Sequence, residues 1–403
     1  MGIKTVNALL FEKARFAFQN ILLLTLYGRK IAVDGNNWIW TNLAIAYKES
    51  VMRMVDPLAV MDRSEVIQRT KELILSFIIK MAEYGITIVW CWDGKPLPDK
   101  EACRTKRRAD RAKIAERVNV ARTQLENVHI LARTPSMITD YKKLLCQTSC
   151  VTPDEIGYFR DMIRLFGFPC LQAEYEGEKI CANLASEGLV AGVWSTDTDN
   201  YPLGTPLMIT GFNGVDEQQR PLISVVFLPY LLQGLGITHN QLTDLCIMLG
   251  CDFNKNMPNV GKKRCWDLMV KYGSIEAAEA GETKRDFSIL RYRRCRELFA
   301  PQATGFNQLS KEINFDPNIF GQYSRDAVRH YKLDHRYDSL IIASKYLIAH
   351  IPKPTPKRSR FVSSSNVKPK TPVHAKPVTP VHVKPVTPVR NIPSLPLPSI
   401  TLN

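Results

Sequence analysis

Seven carboxylates, Asp34, Asp93, Glu176, Glu178, Asp197, Asp199 and Asp252, stand at or just beyond the ends of apolar runs. The runs are Lys30-Ile-Ala-Val-Asp34, Ile86-Thr-Ile-Val-Trp-Cys-Trp-Asp93 and Val190-Ala-Gly-Val-Trp-Ser-Thr-Asp197-Thr-Asp199. Ligands of open α/β sheets bind outside the carboxyl ends of the strands, so acids at several such ends converge in one crevice. Held together, they repel one another. Hard divalent cations relieve that repulsion, and an all-oxygen donor set suits Mg2+ or Mn2+ better than softer metals. The chemistry this predicts is metal-dependent hydrolysis of a phosphodiester.

Those acids need elements to position them. The three runs are apolar throughout and read as buried parallel strands. Between the first two, Ser64 to Tyr84 has the period of an amphipathic helix. Residues 94–150 are charged, helical in pattern and poor in core periodicity, which marks an insertion between core elements. In Thr152-Pro-Asp-Glu155, an N-cap, a proline at the first helical position and a glutamate at the third predict a helix through about Phe166, stopped by Gly167. Glu176-Gly-Glu178 lies at a turn-to-helix junction, and Leu242 to Leu249 reads as a further helix. The segments are then 1–93 and 151–252 for the core, 94–150 for the insertion, 253–350 for a C-terminal helical region and 351–403 for a tail.

The chain has 403 residues, 45% apolar and 23% charged, which is ordinary for a globular protein. No stretch reaches the length of a bilayer span, no secretion signal is visible, and a myristoylation motif fails at Val6. Ten cysteines without CxxC spacing predict reduced, buried thiols. A net charge of +15 predicts a polyanionic partner. From Ile351 onward there are nine Lys or Arg and no acid, leaving +6 for the rest.

Within the body, Lys95 to Arg117 is basic and directly follows Asp93; Lys100, Arg104, Arg107 and Arg111 share one helical face. A solvated surface helix is the alternative, but a phosphate backbone approaching an acid-lined site needs such cations. Pro258-Asn-Val-Gly261-Lys-Lys-Arg264 is a loop with a late glycine that opens a basic helix. That suits a helix-hairpin-helix phosphate clamp, though an ordinary helix-turn-helix connection has the same composition. The tail repeats Lys-Pro-x-Thr-Pro-Val at eight-residue spacing from Lys368, Lys376 and Lys384, with Lys and then Val twice at x, a composition that predicts disorder. Thr371, Thr379 and Thr387 precede prolines and would lower its charge if phosphorylated; Pro356-Lys-Arg-Ser-Arg360 is a nuclear-targeting candidate.

Met1-Gly2-Ile3-Lys4, Gly28-Arg-Lys-Ile-Ala-Val-Asp34, Trp92-Asp93-Gly-Lys-Pro96, Glu176-Gly-Glu178, Thr196-Asp197-Thr-Asp199 and Asp244-Leu-Cys-Ile-Met-Leu-Gly-Cys-Asp252 occur in the order of the blocks of a known family. The chain resembles the flap endonuclease and XPG family of structure-specific 5′ nucleases over roughly residues 1–275. The resemblance implies an α/β, PIN-like (Rossmann-like) parallel-sheet nuclease core with a helical arch insertion and a helix-hairpin-helix element, here followed by the disordered tail. It implies two Mg2+ ions, with Mn2+ as a substitute, held by Asp34, Asp93, Glu176 and Glu178 in one subsite and Asp197, Asp199 and Asp252 in the other. Lys100 and Arg107 resemble the arch cations that act on the scissile phosphate. Trp40 stands where the family stacks an aromatic ring on a base, with a core tryptophan as its alternative. Gly2 resembles a buried glycine near the metals, and Arg104, Arg111, Gly261, Lys262, Lys263 and Arg264 are the further DNA-contacting candidates.

The activity implied is flap endonuclease and 5′-3′ exonuclease cleavage of branched or flapped DNA at single-strand/duplex junctions, in replication, repair or recombination. A monomer is expected, in the nucleus or at a viral replication site, without a sliding-clamp peptide. Three departures stand out. Lys179 puts a cation next to a metal ligand, Asn259 replaces a hairpin glycine but tolerates a left-handed conformation, and Asn256 leaves K+ at the hairpin open. Two other readings are a catalytically weak DNA-binding module, which the intact acid set opposes, and an RNA-directed PIN-like nuclease.

Overall fold

The computed structural model describes residues 2, 3, 5–301, 311–314, 316 and 325–350. The expected tail, with its repeat, Thr-Pro sites and targeting candidate, lies outside the described residues. The first two apolar runs become β2 (Lys30–Asp34) and β3 (Thr87–Trp92), which pair in parallel. Alternation within them sends side chains to two cores. Ile31, Val33, Ile88, Trp90 and Trp92 face one, while Ala32, Val89 and Cys91 face the other. Both sides are therefore covered, as a buried parallel sheet requires.

The full sheet adds β1 (Phe18–Leu22), β4 (Cys170–Gln172), β5 (Val193–Trp194), β6 (Leu207–Val215) and β7 (Pro221–Phe227), in the order β1-β7-β6-β5-β2-β3-β4. Strands β4, β3, β2, β5 and β6 run parallel, and β7 and β1 close one edge antiparallel, so the sheet is mixed. From β2 the chain moves outward through β3 to β4, then returns to β5 on the other side of β2. This reversal is the topological switch point at which α/β sheets bind ligands. The third run yields only two strand residues. After Trp194 the chain turns down into a 3-10 turn over Thr198–Asn200, because the Asp197 carboxylate caps the Asp199 N–H instead of continuing the ladder.

On one face pack α2 (Gly35–Arg53), α3 (Arg63–Glu83), α6 (Pro153–Leu165) and the helix Tyr337–His350. The capping box of α6 is made, Thr152 N–H donating to Glu155 at 2.9 Å and Glu155 N–H to Thr152 Oγ1 at 3.2 Å. Helix α7 (Gly177–Ser186) covers part of the other face. A second core gathers α1 (Val6–Lys13), α8 (Leu228–Leu235), α9 (His239–Leu249), α10 (Lys262–Tyr272), α11 (Ile275–Gly281) and α12 (Tyr292–Phe299). Between β3 and α6 lie chiefly α4 (Glu101–Glu126) and α5 (Pro135–Leu145), the segment read from the sequence as an insertion. Helix α4 buries only Val118 and Leu125, packed with Tyr141. Among the described residues, no helix is long and apolar enough to cross a membrane. All ten cysteines are free, but Cys150 is exposed and three others are half-buried, so the expectation of uniformly buried thiols is corrected. The reason is local: Cys150 lies in the polar connection between α5 and α6.

Phe77 on α3 joins the layers beneath the site. Its ring centroid lies 5.2 Å from Trp38, 6.0 Å from Trp90 and 4.9 Å from Trp194. Replacing it with alanine removes these contacts and leaves a cavity under β3 and β5. Phe77→Ala should cost about 3–5 kcal/mol, read as a lower urea midpoint; a loss below about 1 kcal/mol would show that the layer closes up without it.

Candidate metal centre

The carboxyl ends of β2, β3, β4 and β5 open on the switch point, and an acid stands at or past each. Asp34 ends β2 and caps α2; its Oδ1 accepts the Asn37 N–H at 3.1 Å and its Oδ2 the Ser195 hydroxyl at 3.3 Å. Asp93 follows β3, and its Oδ1 accepts the Gly177 N–H at 2.7 Å. Gly94 permits this approach. Its N–H reaches the Tyr175 carbonyl at 2.7 Å, and a Cβ there would lie 2.0 Å from the Ala173 carbonyl oxygen. Glu176 and Glu178 flank Gly177 at the start of α7, Asp197 and Asp199 follow β5, and Asp252 comes from the loop after α9.

Six of the seven acids, Asp34, Asp93, Glu176, Glu178, Asp197 and Asp252, line one crevice of about 340 Å³, together with Trp40, Lys100, Arg104 and Arg107. Asp199 is buried. Glu178, Asp197 and Asp199 each offer an oxygen, all within 4.8 Å of one another. This grouping crosses the division into subsites that the resemblance implies, because Glu178 stands with the acids that follow β5.

Burial dominates the electrostatics. It pushes Asp34 up to about 8, helped by Asp93 and opposed by the Asn37 N–H, and Asp93 up to about 6, opposed by the Gly177 N–H. Burial also raises Glu178 and Asp199 well above the usual carboxylate range, and Asp197 above it. Two cations from the insertion answer this charge. Lys100 Nζ lies 2.5 Å from Glu176, 3.5 Å from Glu178 and 3.9 Å from Asp252. Burial would lower the lysine, but Glu178, Glu176 and Asp199 outweigh it and hold it charged. Arg107 donates to both Asp252 oxygens at 2.8 and 2.6 Å, and the Cys103 thiol to one of them at 3.3 Å. Burial would raise Asp252; Lys100 and Arg107 keep it below the ordinary value.

The donor set fits a hard divalent cation. Every candidate ligand is a carboxylate oxygen, and Asp199 Oδ1 is buried without a hydrogen-bond partner. Gly2 adds a steric observation. It adopts φ +81°, and a Cβ there would lie 2.2 Å from Asp197 Oδ1 and 3.0 Å from Asp199 Oδ1. Only glycine leaves these oxygens room.

The remaining predicted residues are dispersed. Trp40 is half-buried on the crevice, while Trp38, two residues earlier, takes the core position. Arg104 is turned onto Glu101 at 2.7 Å, and Arg111 is exposed farther along α4. Gly261, Lys262, Lys263 and Arg264 open α10 away from the crevice lining. Asn259 holds the expected left-handed turn at φ +58°. Lys262 pairs with Glu12 at 3.3 Å and Arg264 with Glu282 at 2.9 Å, while Lys263 is exposed. The expectation for Lys179 is corrected: its ammonium donates to the Leu298 carbonyl at 2.9 Å, at the end of α12, because its position on α7 turns it away from the acids. Sequence reasoning missed Asn37, whose Oδ1 accepts the Thr196 N–H at 3.2 Å, and Ser195. Asn37 had a signal, standing in the first turn after Asp34; Ser195 had none.

Residues 1–114 match the XPG N-terminal domain and residues 167–252 the XPG I-region. Flap endonuclease 1 of Leishmania major is 30% identical over 279 residues, 69% of this chain and 66% of that protein. Flap endonuclease 1 of Cryptosporidium muris is 28% identical over 333 residues, 80% of this chain and 67% of that protein. The chain thus spans about two thirds of the length of these relatives. Among solved structures, flap endonuclease-1 from Methanococcus jannaschii superposes with a TM-score of 0.53 at 21% identity, covering 83% of this chain and 96% of that one, a likeness of fold.

The raised acids give a pH signature. Asp34 and Asp93 hold protons in the fold above the 3.8 of a free aspartate, so these two groups bind more protons in the folded chain than in the unfolded one between that value and about 8. Their contribution to stability falls as pH rises through that window. In chelator, the thermal midpoint should decline from about pH 5 to about pH 8 and Asp34→Asn should flatten the decline, whereas a midpoint that climbs with pH would contradict the protonated carboxyls.

Proposed function

This chain belongs to the flap endonuclease and XPG family, and from that premise we propose that it is a divalent-metal-dependent, structure-specific 5′ nuclease that hydrolyses DNA phosphodiesters where a 5′ single strand meets duplex. The observation that carries the reading is the convergence of strand-end acids beneath Lys100 and Arg107. We assign Mg2+ as the working ion on the all-carboxylate donor set.

Glu178, Asp197 and Asp199, with Asp34, Asp93, Glu176 and Asp252 around them, would hold the ions. Bound there, divalent cations supply an activated water and stabilise the departing oxygen of the phosphodiester. The chain's own residues do the rest. Lys100 and Arg107 come from the insertion and present donors over the acids, where a phosphate's non-bridging oxygens would sit as charge develops on them. Their present partners, Glu176 and Asp252, are assigned ligands, so occupation of the acids by cations would leave both side chains to the phosphate. Asp34, Asn37 and Thr196 fix the ends of β2 and β5 against each other. Trp40 offers a ring at the crevice wall, and a base stacked there would be held without regard to its identity. Lys263 and the N-terminus of α10 provide a second contact for duplex backbone, read through phosphate alone.

The purified protein should cut a labelled 5′-flapped DNA duplex with Mg2+ and not with chelator. Lys100→Ala should slow it about 10²-fold to 10³-fold, and Asp199→Ala should abolish cleavage. Salt-dependent duplex binding without cleavage would leave a DNA-binding module, and cleavage confined to RNA an RNA-directed nuclease.

A further inference from the structure

Helix α12 takes no direct part in that chemistry, yet it holds both segments that carry it. Lys100 ends the 3-10 turn Pro98–Lys100 that leads into α4. Its neighbour Asp99 has a side chain only 12% exposed, and the carboxylate is gripped by two arginines beside and on α12. Oδ1 accepts from Arg291 at 3.2 Å and from Arg294 Nε at 3.3 Å; Oδ2 accepts from Arg294 Nη2 at 3.0 Å. The Arg294 fork is bidentate, which fixes the carboxylate's orientation as well as its position. Farther along the same helix, the Phe299 ring packs edge-on against Phe253 at 5.3 Å. Phe253 adjoins Asp252, and Lys100 Nζ lies 5.2 Å from the same Phe253 ring. Lys100 is therefore tied to α12 twice, through the backbone from Asp99 and through the ring of Phe253.

We propose that Asp99 is a positioning residue for Lys100: its ion pairs with Arg291 and Arg294 anchor the turn Pro98–Lys100 to α12 and so fix where the Lys100 ammonium stands over the acids. The inference rests on the reading in which Lys100 acts on the scissile phosphate. It gives the arginines at 291 and 294 a use that the sequence does not suggest, since a cluster of positive charge after a helix-hairpin-helix reads first as duplex-binding surface. A side chain that stabilises a transition state loses its effect when displaced by about an ångström, so the anchor should be felt in turnover and not in binding.

The test compares Asp99→Asn, Arg294→Gln and Asp99→Glu on the 5′-flapped duplex with Mg2+, in the parent and in a Lys100→Ala background, with thermal midpoints recorded throughout. Asp99→Asn and Arg294→Gln should each lower kcat about tenfold while KM stays within about twofold, and Asp99→Glu should retain most of the rate. In the Lys100→Ala background, Asp99→Asn should change the rate by no more than about twofold, because the residue it positions is already gone. Equal losses in both backgrounds, or parental rates for both variants at parental thermal stability, overturn the proposal. Arg294, half exposed, keeps the comparison available if Asp99→Asn does not fold. A parent protein that cuts no substrate overturns the functional reading and this inference with it; an active parent with unchanged variants overturns this inference alone.

Discussion

Bringing seven carboxylates together raises their electrostatic energy, and the rest of the architecture follows from how that repulsion is contained. Part of the answer is backbone: the N–H groups of Asn37, Gly177 and Asp199 each donate to one of the acids, so three carboxylates are held by helix or turn starts. Part is a raised affinity for protons, since burial pushes Asp34, Asp93, Glu178, Asp197 and Asp199 upward. The remainder is positive charge, from Lys100 and Arg107 within the chain, and the grouped carboxylate oxygens would suit a divalent ion besides. Each device makes the site responsive to what enters it. On the proposed function, cations or a phosphate would exchange places with internal partners instead of filling a neutral pocket.

That exchange requires the insertion and the core to stay in register. Helix α4 is mostly exposed and buries only Val118 and Leu125, so little core packing holds it. Its base is held instead by charge and aromatic contact: Asp99 to α12, Lys100 to the acids, Arg107 to Asp252. Most arginines of the C-terminal region are committed to ion pairs within the chain, with Arg296 on Asp244 at 2.6 Å and Arg285 on Glu282 at 3.4 Å. The C-terminal region thereby acts as a brace for the site. The helix Tyr337–His350 does the same on the opposite layer, packing on α3 with Leu340, Ala343 and Leu347 buried.

Several features were legible because their causes are local. The capping box at Thr152 and Glu155, the span of α3 and the left-handed Asn259 each depend on residues within a turn or two. The β6–β7 hairpin carries a local signal too: Leu222-Ile-Ser-Val-Val-Phe227 is rich in β-branched residues, and Asp216 to Arg220 is a polar turn. Strand β1 had little to announce it, since Phe18–Leu22 is only half-buried and gains its role by pairing with β7, more than two hundred residues away. Lys179 misled for a related reason. Adjacency to Glu178 in sequence says nothing of side-chain direction on a helix, where successive residues point about a quarter-turn apart.

The amino-acid sequence by itself determined which chemistry was possible. Acids at the ends of apolar runs, a basic stretch after Asp93 and the order of the family's blocks all depend on residue type and short spacing, and short spacing survives without coordinates. Tertiary structure decided which groups face each other: Glu178 beside Asp197 and Asp199, Trp40 rather than Trp38 at the crevice, Gly2 against the Asp197 carboxylate, and Asp99 between Arg291 and Arg294. These contacts join residues up to about two hundred positions apart, and their existence depends on how sheet order and helix packing close those distances. No periodicity encodes such pairings, because the free energy that selects them is shared by the whole packed core.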